Sequence, residues 1–177
     1  GSSDVVTDVL SLVASTQTIT VSSITVRETG TSVDANITLV KLYDDLDANG
    51  LDEGDVLLSS GTFSEGVKTF GSLNLSVTTD TKKILVAIDV STNAPHGVTV
   101  ITQLLNQSDI IPVPPDIVGA FSNYLSNTFT VVDISSPSRV TLSSPSDETN
   151  TNNTTPVFSW NSVTDPSGVT YTLQVDT

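Results

Sequence analysis

Asp45-Leu46-Asp47-Ala48-Asn49-Gly50-Leu51-Asp52-Glu53-Gly54-Asp55 is the one stretch whose side chains, by type and spacing, converge on a specific chemistry. Hard divalent cations take several oxygen ligands. An Asp-x-Asp-x-Asn-Gly run supplies them at alternate positions, and its glycine turns the chain round the ion. The end of the loop departs from the EF-hand pattern, whose twelfth position is a bidentate Glu. Counting from Asp45 puts Val56 there, with Asp52, Glu53 and Asp55 as the nearest carboxylates. Calcium accepts roughly six to eight oxygens in flexible geometry. The expected ligand set is therefore the carboxylates of Asp45, Asp47, Asp52 and Asp55, the Asn49 amide, the Leu51 carbonyl and water. Magnesium, with its octahedral demand, suits such a loop poorly. The competing reading is a hairpin loop that is merely acidic and solvated, and repulsion among so many acids within a dozen residues weighs against it. The expected affinity is weak, about 10⁻⁴–10⁻³ M.

Other chemistries lack their parts. His96 is the only histidine and there is no cysteine, so the three or four N or S ligands of a zinc site cannot be assembled. No Gly-x-Ser-x-Gly elbow accompanies the serines, and aromatic platforms for a sugar cleft are scarce. Gly61, Gly66 and Gly71 read as hairpin punctuation rather than a phosphate loop. Asp89, Ser91 and Asn93 offer oxygens for a second cation, but a turn capping a strand end is the expected account. The expectation is a protein without catalytic activity.

Charge sets the class of partner. With a formal net charge of −14 over 177 residues and only six Lys and Arg, the chain is not expected to bind nucleic acid or an anionic membrane surface. Cysteine and methionine are both absent, so stability has to come from packing and bound ions. No run is long and apolar enough to span a bilayer. Asn36, Asn74, Asn106, Asn152 and Asn153 each begin an Asn-x-Ser/Thr triplet and are candidate glycosylation sites, though a chain so rich in Ser, Thr and Asn produces such triplets by chance.

The elements that must position the acidic loop read as strands. Residues 1–14 contain Val5, Val6, Val9, Leu10, Leu12 and Val13 at helical spacing, but their Ser, Thr and β-branched neighbours favour an N-terminal strand or arm. Ile19 and Val21, then Ile24 and Val26, alternate with a phase slip at Ser22-Ser23 that predicts a bulge or bend. Further strand-like segments are Val33–Tyr43, Val56–Phe63, Val67–Val77, Lys83–Val90, Val98–Leu104 and Thr128–Ile134. Ile84, Val86, Ile88 and Val90 share one face and Leu85, Ala87 and Asp89 the other, the pattern of a half-buried strand. The Ile111–Pro115 run cannot be a central strand, and Asp116–Tyr124 has room for one short helix. The whole predicts an all-β antiparallel sandwich, Ig-like or jelly-roll-like, of roughly seven to nine strands over residues 15–134. A linker follows at 135–138, and a second β-domain at 139–177.

Two resemblances extend this reading. Val140–Pro145, Thr155–Trp160 and Asp165–Val175 resemble the A, B and C strands of a fibronectin type III or related immunoglobulin-like domain, which implies that Trp160 and Tyr171 are core positions. Such a sandwich needs about seven strands. Three leave an apolar face to be covered by further chain, by the first domain or by another subunit, and a fragment of a tandem array is the expected case. Ile24–Val26, Val40–Tyr43, Gly54–Leu58, Phe70–Leu75 and Val86–Ser91 are similar to modules of archaeal and bacterial surface-layer and adhesion proteins. That likeness implies an extracellular, cell-surface, structural or adhesive role. The expected partners are copies of the chain itself, in a homopolymer or lattice, or neighbouring domains of a longer chain, with glycans also possible. In a filament, the apolar arm Val5–Val13 would add a strand to the next subunit. The alternative is a carbohydrate- or host-binding module of a larger secreted enzyme or adhesin.

Overall fold

Ile19–Glu28 forms the longest strand, and its burial follows the phase slip of its sequence. Val21 is buried, then Ile24 and Val26, with Ser22 and Ser23 only half-buried between them. The computed structural model describes residues 1–146, 150 and 152–174. The chain divides into two compact units, Gly1–Val131 and Val132–Thr177.

The strands of the first unit are β1 (Val5–Leu12), β2 (Ile19–Glu28), β3 (Ile37–Asp45), β4 (Val56–Gly61), β5 (Val67–Phe70), β6 (Leu75–Val77), β7 (Lys82–Val90), β8 (Thr99–Val100), β9 (Thr102–Asn106), β10 (Ile110–Pro112), β11 (Ser122–Leu125) and β12 (Phe129–Thr130). One antiparallel sheet runs β1-β7-β3-β4. The other is built on β2, which pairs with β5, β6, β9 and β10, and it continues through β9 to β11. β8 and β12 make a small antiparallel pair. Val40, Leu42, Ile84, Val86 and Ile88 of the first sheet form one buried cluster with Val21, Ile24, Val26, Phe70 and Leu104 of the second. The unit is an all-β fold of sandwich type, as the short alternating segments predict. No helix among the described residues is long and apolar enough to cross a membrane.

Several elements differ from expectation, each for a physical reason. Val67–Val77 is two strands, because Ser72 and Asn74 adopt positive φ (56° and 47°) and the Leu73 N–H turns to the Ser22 carbonyl. At that point β2 exchanges one partner strand for the other, so its slip is where β6 ends and β5 takes over. Val98–Leu104 likewise splits into β8 and β9, which belong to different sheets. No helix forms over Asp116–Tyr124. Val118 and Phe121 instead pack on the core from a crossing segment that ends in β11. β7 is not half-buried: Ile84 to Ile88 are buried without interruption, since β1 and β3 flank it on both sides. Val9 and Tyr43 stand opposite Leu85, and Val6 and Lys41 opposite Ala87, so its second face is covered by its neighbours. On that face Lys41 bridges Asp4 and Asp89 at 2.9 and 2.8 Å. The Lys41 ammonium, and after it the Tyr43 hydroxyl, hold the Asp4 carboxyl below its usual range.

The N-terminal segment is a full member of its sheet, paired with β7 from Val5 to Leu12. Removing residues 1–14 would strip cover from a buried central strand, so lost assembly after that deletion would not by itself report a donated strand. Its ladder slips between Val6 and Asp8. Asp8 is 9 % exposed, and its Oδ2 has no hydrogen-bond partner. Burial pushes its carboxyl above the usual range, against the opposing bond that Oδ1 accepts from the Val9 N–H. An acid with a raised folded pKa stabilises the fold most below its unfolded pKa, and that contribution is lost as pH rises through the folded pKa. Asp8→Asn keeps the Val9 acceptor and removes the buried charge. It is expected to stabilise the protein by about 1 kcal/mol at pH 7, with no gain at pH 3, in urea unfolding at the two pH values. Equal effects at both pH values would contradict the assignment.

In the second unit, β13 (Leu142–Ser144) pairs with β14 (Ser159–Trp160), Leu142 opposite Trp160. Trp160 and Tyr171, expected as core positions, are 37 % and 39 % exposed and lie against each other with ring centroids 5.6 Å apart. The Tyr171 hydroxyl accepts from the Val163 N–H at 2.9 Å. Within Asp165–Val175 no strand occurs among the described residues, and Val175 lies outside them.

Candidate metal centre

β3 and β4 form a hairpin whose connection is the acidic loop. Strand alternation sends the last two acids of β3 to different tasks. Asp44 accepts two bonds from the Lys82 ammonium at 2.8 and 2.7 Å, which occupies its charge. Asp45 is 6 % exposed and belongs to the loop: its Oδ2 accepts from the Gly50 N–H at 3.3 Å, and its buried Oδ1 has no hydrogen-bond partner.

The backbone wraps tightly round these carboxylates. Ala48 and Gly50 both have positive φ, 61° and 103°. A Cβ at Gly50 would meet nothing within 4 Å, so the glycine serves the backbone angle rather than space. Loop amides aim the acids. Asp47 accepts from the Asn49 N–H at 3.3 Å, and Asp55 from the Leu46 and Asp52 N–H groups at 3.1 and 3.0 Å. One oxygen each from Asp45, Asp47 and Asp55 then lies within 4.8 Å of the others. Two ligands of one calcium ion, each about 2.4 Å from it, are separated by at most about 4.8 Å, so the three are close enough to share a cation.

The structure therefore brings together three of the four expected carboxylates. Asn49 turns its amide nitrogen to Asp47 Oδ2 and Asp52 Oδ2, at 2.7 and 3.3 Å. Reversing that amide would present its oxygen in the same place. Asp52 accepts from the Gly54 N–H at 2.6 Å and stands outside the group of three. Sequence reasoning missed Lys82, which removes Asp44 from competition, because the two are 38 residues apart and meet only through the β3–β7 register. The orphaned, buried Asp45 Oδ1 is the observation that fits a cation: without one, an unsatisfied buried oxygen costs about 1–3 kcal/mol or more.

The remaining candidates are dispersed. Asp89 is engaged by Lys41, and Ser91 accepts from the Asn93 N–H, so that strand end is a capped turn. Asn74, Asn152 and Asn153 are exposed, whereas Asn36 and Asn106 are half-buried. The Asn106 side chain accepts from the Ser108 N–H and hydroxyl. No protein-family model matches the chain, and no curated protein matches it.

Proposed function

We propose that the chain is a non-catalytic structural module of a prokaryotic cell surface, a calcium-stabilised β-sandwich that serves in a surface layer, stalk or self-assembling filament. The observation that carries this reading is Asp45, a buried carboxylate with an unpartnered oxygen converging with Asp47 and Asp55 at the end of a sheet. A hard cation there would cancel repulsion within the loop and fix the β3–β4 hairpin. Calcium fits the mixed, flexible oxygen set better than magnesium. The strongly negative charge agrees with a cation-rich exterior, and the partners would be further copies of the chain or neighbouring domains. The exposed sequons Asn74, Asn152 and Asn153 are where glycans would fit.

Isothermal titration with calcium tests this. One site with a dissociation constant of about 10⁻⁴–10⁻³ M is expected, lost in Asp45→Asn and at least tenfold weaker for magnesium. Heat-silent titration, with no change in hairpin amide signals by NMR, would leave the loop as a solvated acidic turn.

A second reading has one observation in its favour. Trp160 and Tyr171 are partly exposed and adjacent, next to Val140, Leu142 and Leu173 in a shallow apolar depression. Aromatic faces of this kind stack on sugars, which fits a carbohydrate-binding module. Glycan-array binding lost in Trp160→Ala but kept in Asp45→Asn would favour it over the structural role.

A further inference from the structure

The two edges of the β1-β7-β3-β4 sheet are treated differently. β1 is interrupted at its centre: its ladder slips before Asp8, the Asp8 carboxylate takes the Val9 N–H, and the Tyr124 hydroxyl donates to the Val9 carbonyl at 3.0 Å. A bulge, an inward-facing charge and capped backbone groups are means by which an edge is kept from pairing with another chain. β4, at the opposite edge, has a ladder slip at Leu58 but neither a charge nor a side-chain cap. Among the described residues, its hydrogen bonds all go to β3. Val56 and Leu57 are 48 % and 49 % exposed. The outer strands of the other sheet are shorter, β5 and β11 with four residues and β6 and β10 with three.

Charge at the two ends of β4 identifies what fits it. Glu53 and Asp55 precede Val56. At the other end the Lys68 ammonium lies over Gly61, where an added Cβ would collide with it, and 5.6 Å from the Phe70 ring centroid. Lys68 makes no salt bridge among the described residues. The edge is thus flanked by the loop acids before its first residue and by Lys68 of β5 beside its last, an arrangement that is self-complementary when run antiparallel.

We infer that the outer edge of β4 is the docking site for a second copy of this chain, the two β4 strands pairing antiparallel about a twofold axis near the middle of the strand. Each Lys68 then approaches the Glu53–Asp55 segment of the other copy. A parallel pairing would set acid against acid and leave both lysines unmatched. Edge amides and carbonyls are satisfied, and Leu57 is covered. The contact is small beside the about 1,200–2,000 Å² of stable complexes, so association at about 0.1 mM is expected. At physiological salt the Debye length is about 8 Å, which screens the net negative charges of the copies but not the close Lys68 pairs. The edge, its exposure and Lys68 are independent of any bound ion; Asp55 belongs to the candidate metal centre, so Glu53 is the acid that pairs with Lys68 with or without a cation.

The test is sedimentation velocity of the full chain from about 10 μM to about 1 mM at 0.15 M salt, in calcium and in chelator. A concentration-dependent dimer is expected in both. Lys68→Glu should weaken it about tenfold, and adding Glu53→Lys should restore it, which a mere folding defect would not allow. The chain has no cysteine, so Ser59→Cys introduces a single thiol close to the axis. Mild oxidation should link it into a dimer, while Ser11→Cys on β1 should stay monomeric. A monomer at every concentration with no Ser59→Cys disulfide, or equal cross-linking of Ser11→Cys, would overturn the inference. Calcium binding without dimerisation would do so while leaving the structural reading intact.

Discussion

Calcium at about 10 mM is expected to raise the unfolding midpoint by about 3–10 °C, and Asp45→Asn to abolish the rise. The size follows from linkage. A ligand at about 10 to 100 times its dissociation constant stabilises the state that binds it by about 1.4–2.7 kcal/mol. For a chain of this length each kcal/mol moves the midpoint by about 2–4 °C. Asp45 is the position to change because it is the most buried of the three converging acids and holds the unpartnered oxygen. Asparagine keeps the acceptor for the Gly50 N–H but supplies no charge. The calcium-free midpoint of the variant should therefore stay level or rise slightly. Scanning calorimetry of both proteins in calcium, magnesium and chelator decides the matter. An equal calcium shift in Asp45→Asn would place the bound ion elsewhere, and no shift in either would end the cation reading.

Asp109→Ala is expected to destabilise the first unit by about 3 kcal/mol. Asp109 is 2 % exposed and joins two elements at once, accepting from Arg27 of β2 at 2.7 Å and from the Leu105 N–H of β9 at 2.6 Å. Removing it leaves a guanidinium and a backbone amide short of a partner, and breaking a buried ion pair from one side costs about 3–5 kcal/mol. The lower end applies because the Arg27 side chain is 27 % exposed and regains some hydration. Replacing both partners, as Arg27→Met with Asp109→Leu, should recover most of the loss, since the penalty comes from the stranded charge rather than from the pair's net worth. Urea unfolding followed by far-UV circular dichroism is the suitable measurement, because the only tryptophan, Trp160, lies in the second unit. A double variant as unstable as Asp109→Ala would show that the pair itself contributes the stability.

Both predictions rest on residues whose roles were unequally visible beforehand. Asp45, Asp47 and Asp55 could be picked out because a metal loop is written in about a dozen consecutive residues. Asp109 could not, since nothing local distinguishes it from any turn acid until β2 brings Arg27 alongside. The same contrast runs through the fold. The Ser22-Ser23 slip was visible as broken alternation, but its cause, the exchange of β6 for β5 against β2, depends on a segment some fifty residues later. The helix expected within Asp116–Tyr124 failed because local propensity was set against Val118 and Phe121 reaching the core.

The sequence by itself determined the all-β class, the acidic hairpin loop and the strongly negative charge. Alternation, turn residues and composition act over a few bonds and survive without knowledge of partners. Tertiary structure alone decided which acids converge, which strand is buried on both faces and which edge is left open. Asp44 and Asp45 are chemically identical neighbours, and only the register of β3 on β7 gives one to Lys82 and the other to the loop. β1 and β4 are both edge strands, and although Asp8 caps the Val9 N–H locally, the Val9 carbonyl is capped by Tyr124, 115 residues away. Pairing and burial are properties of what the fold places across the gap, and that partner is not encoded next to the residue it satisfies.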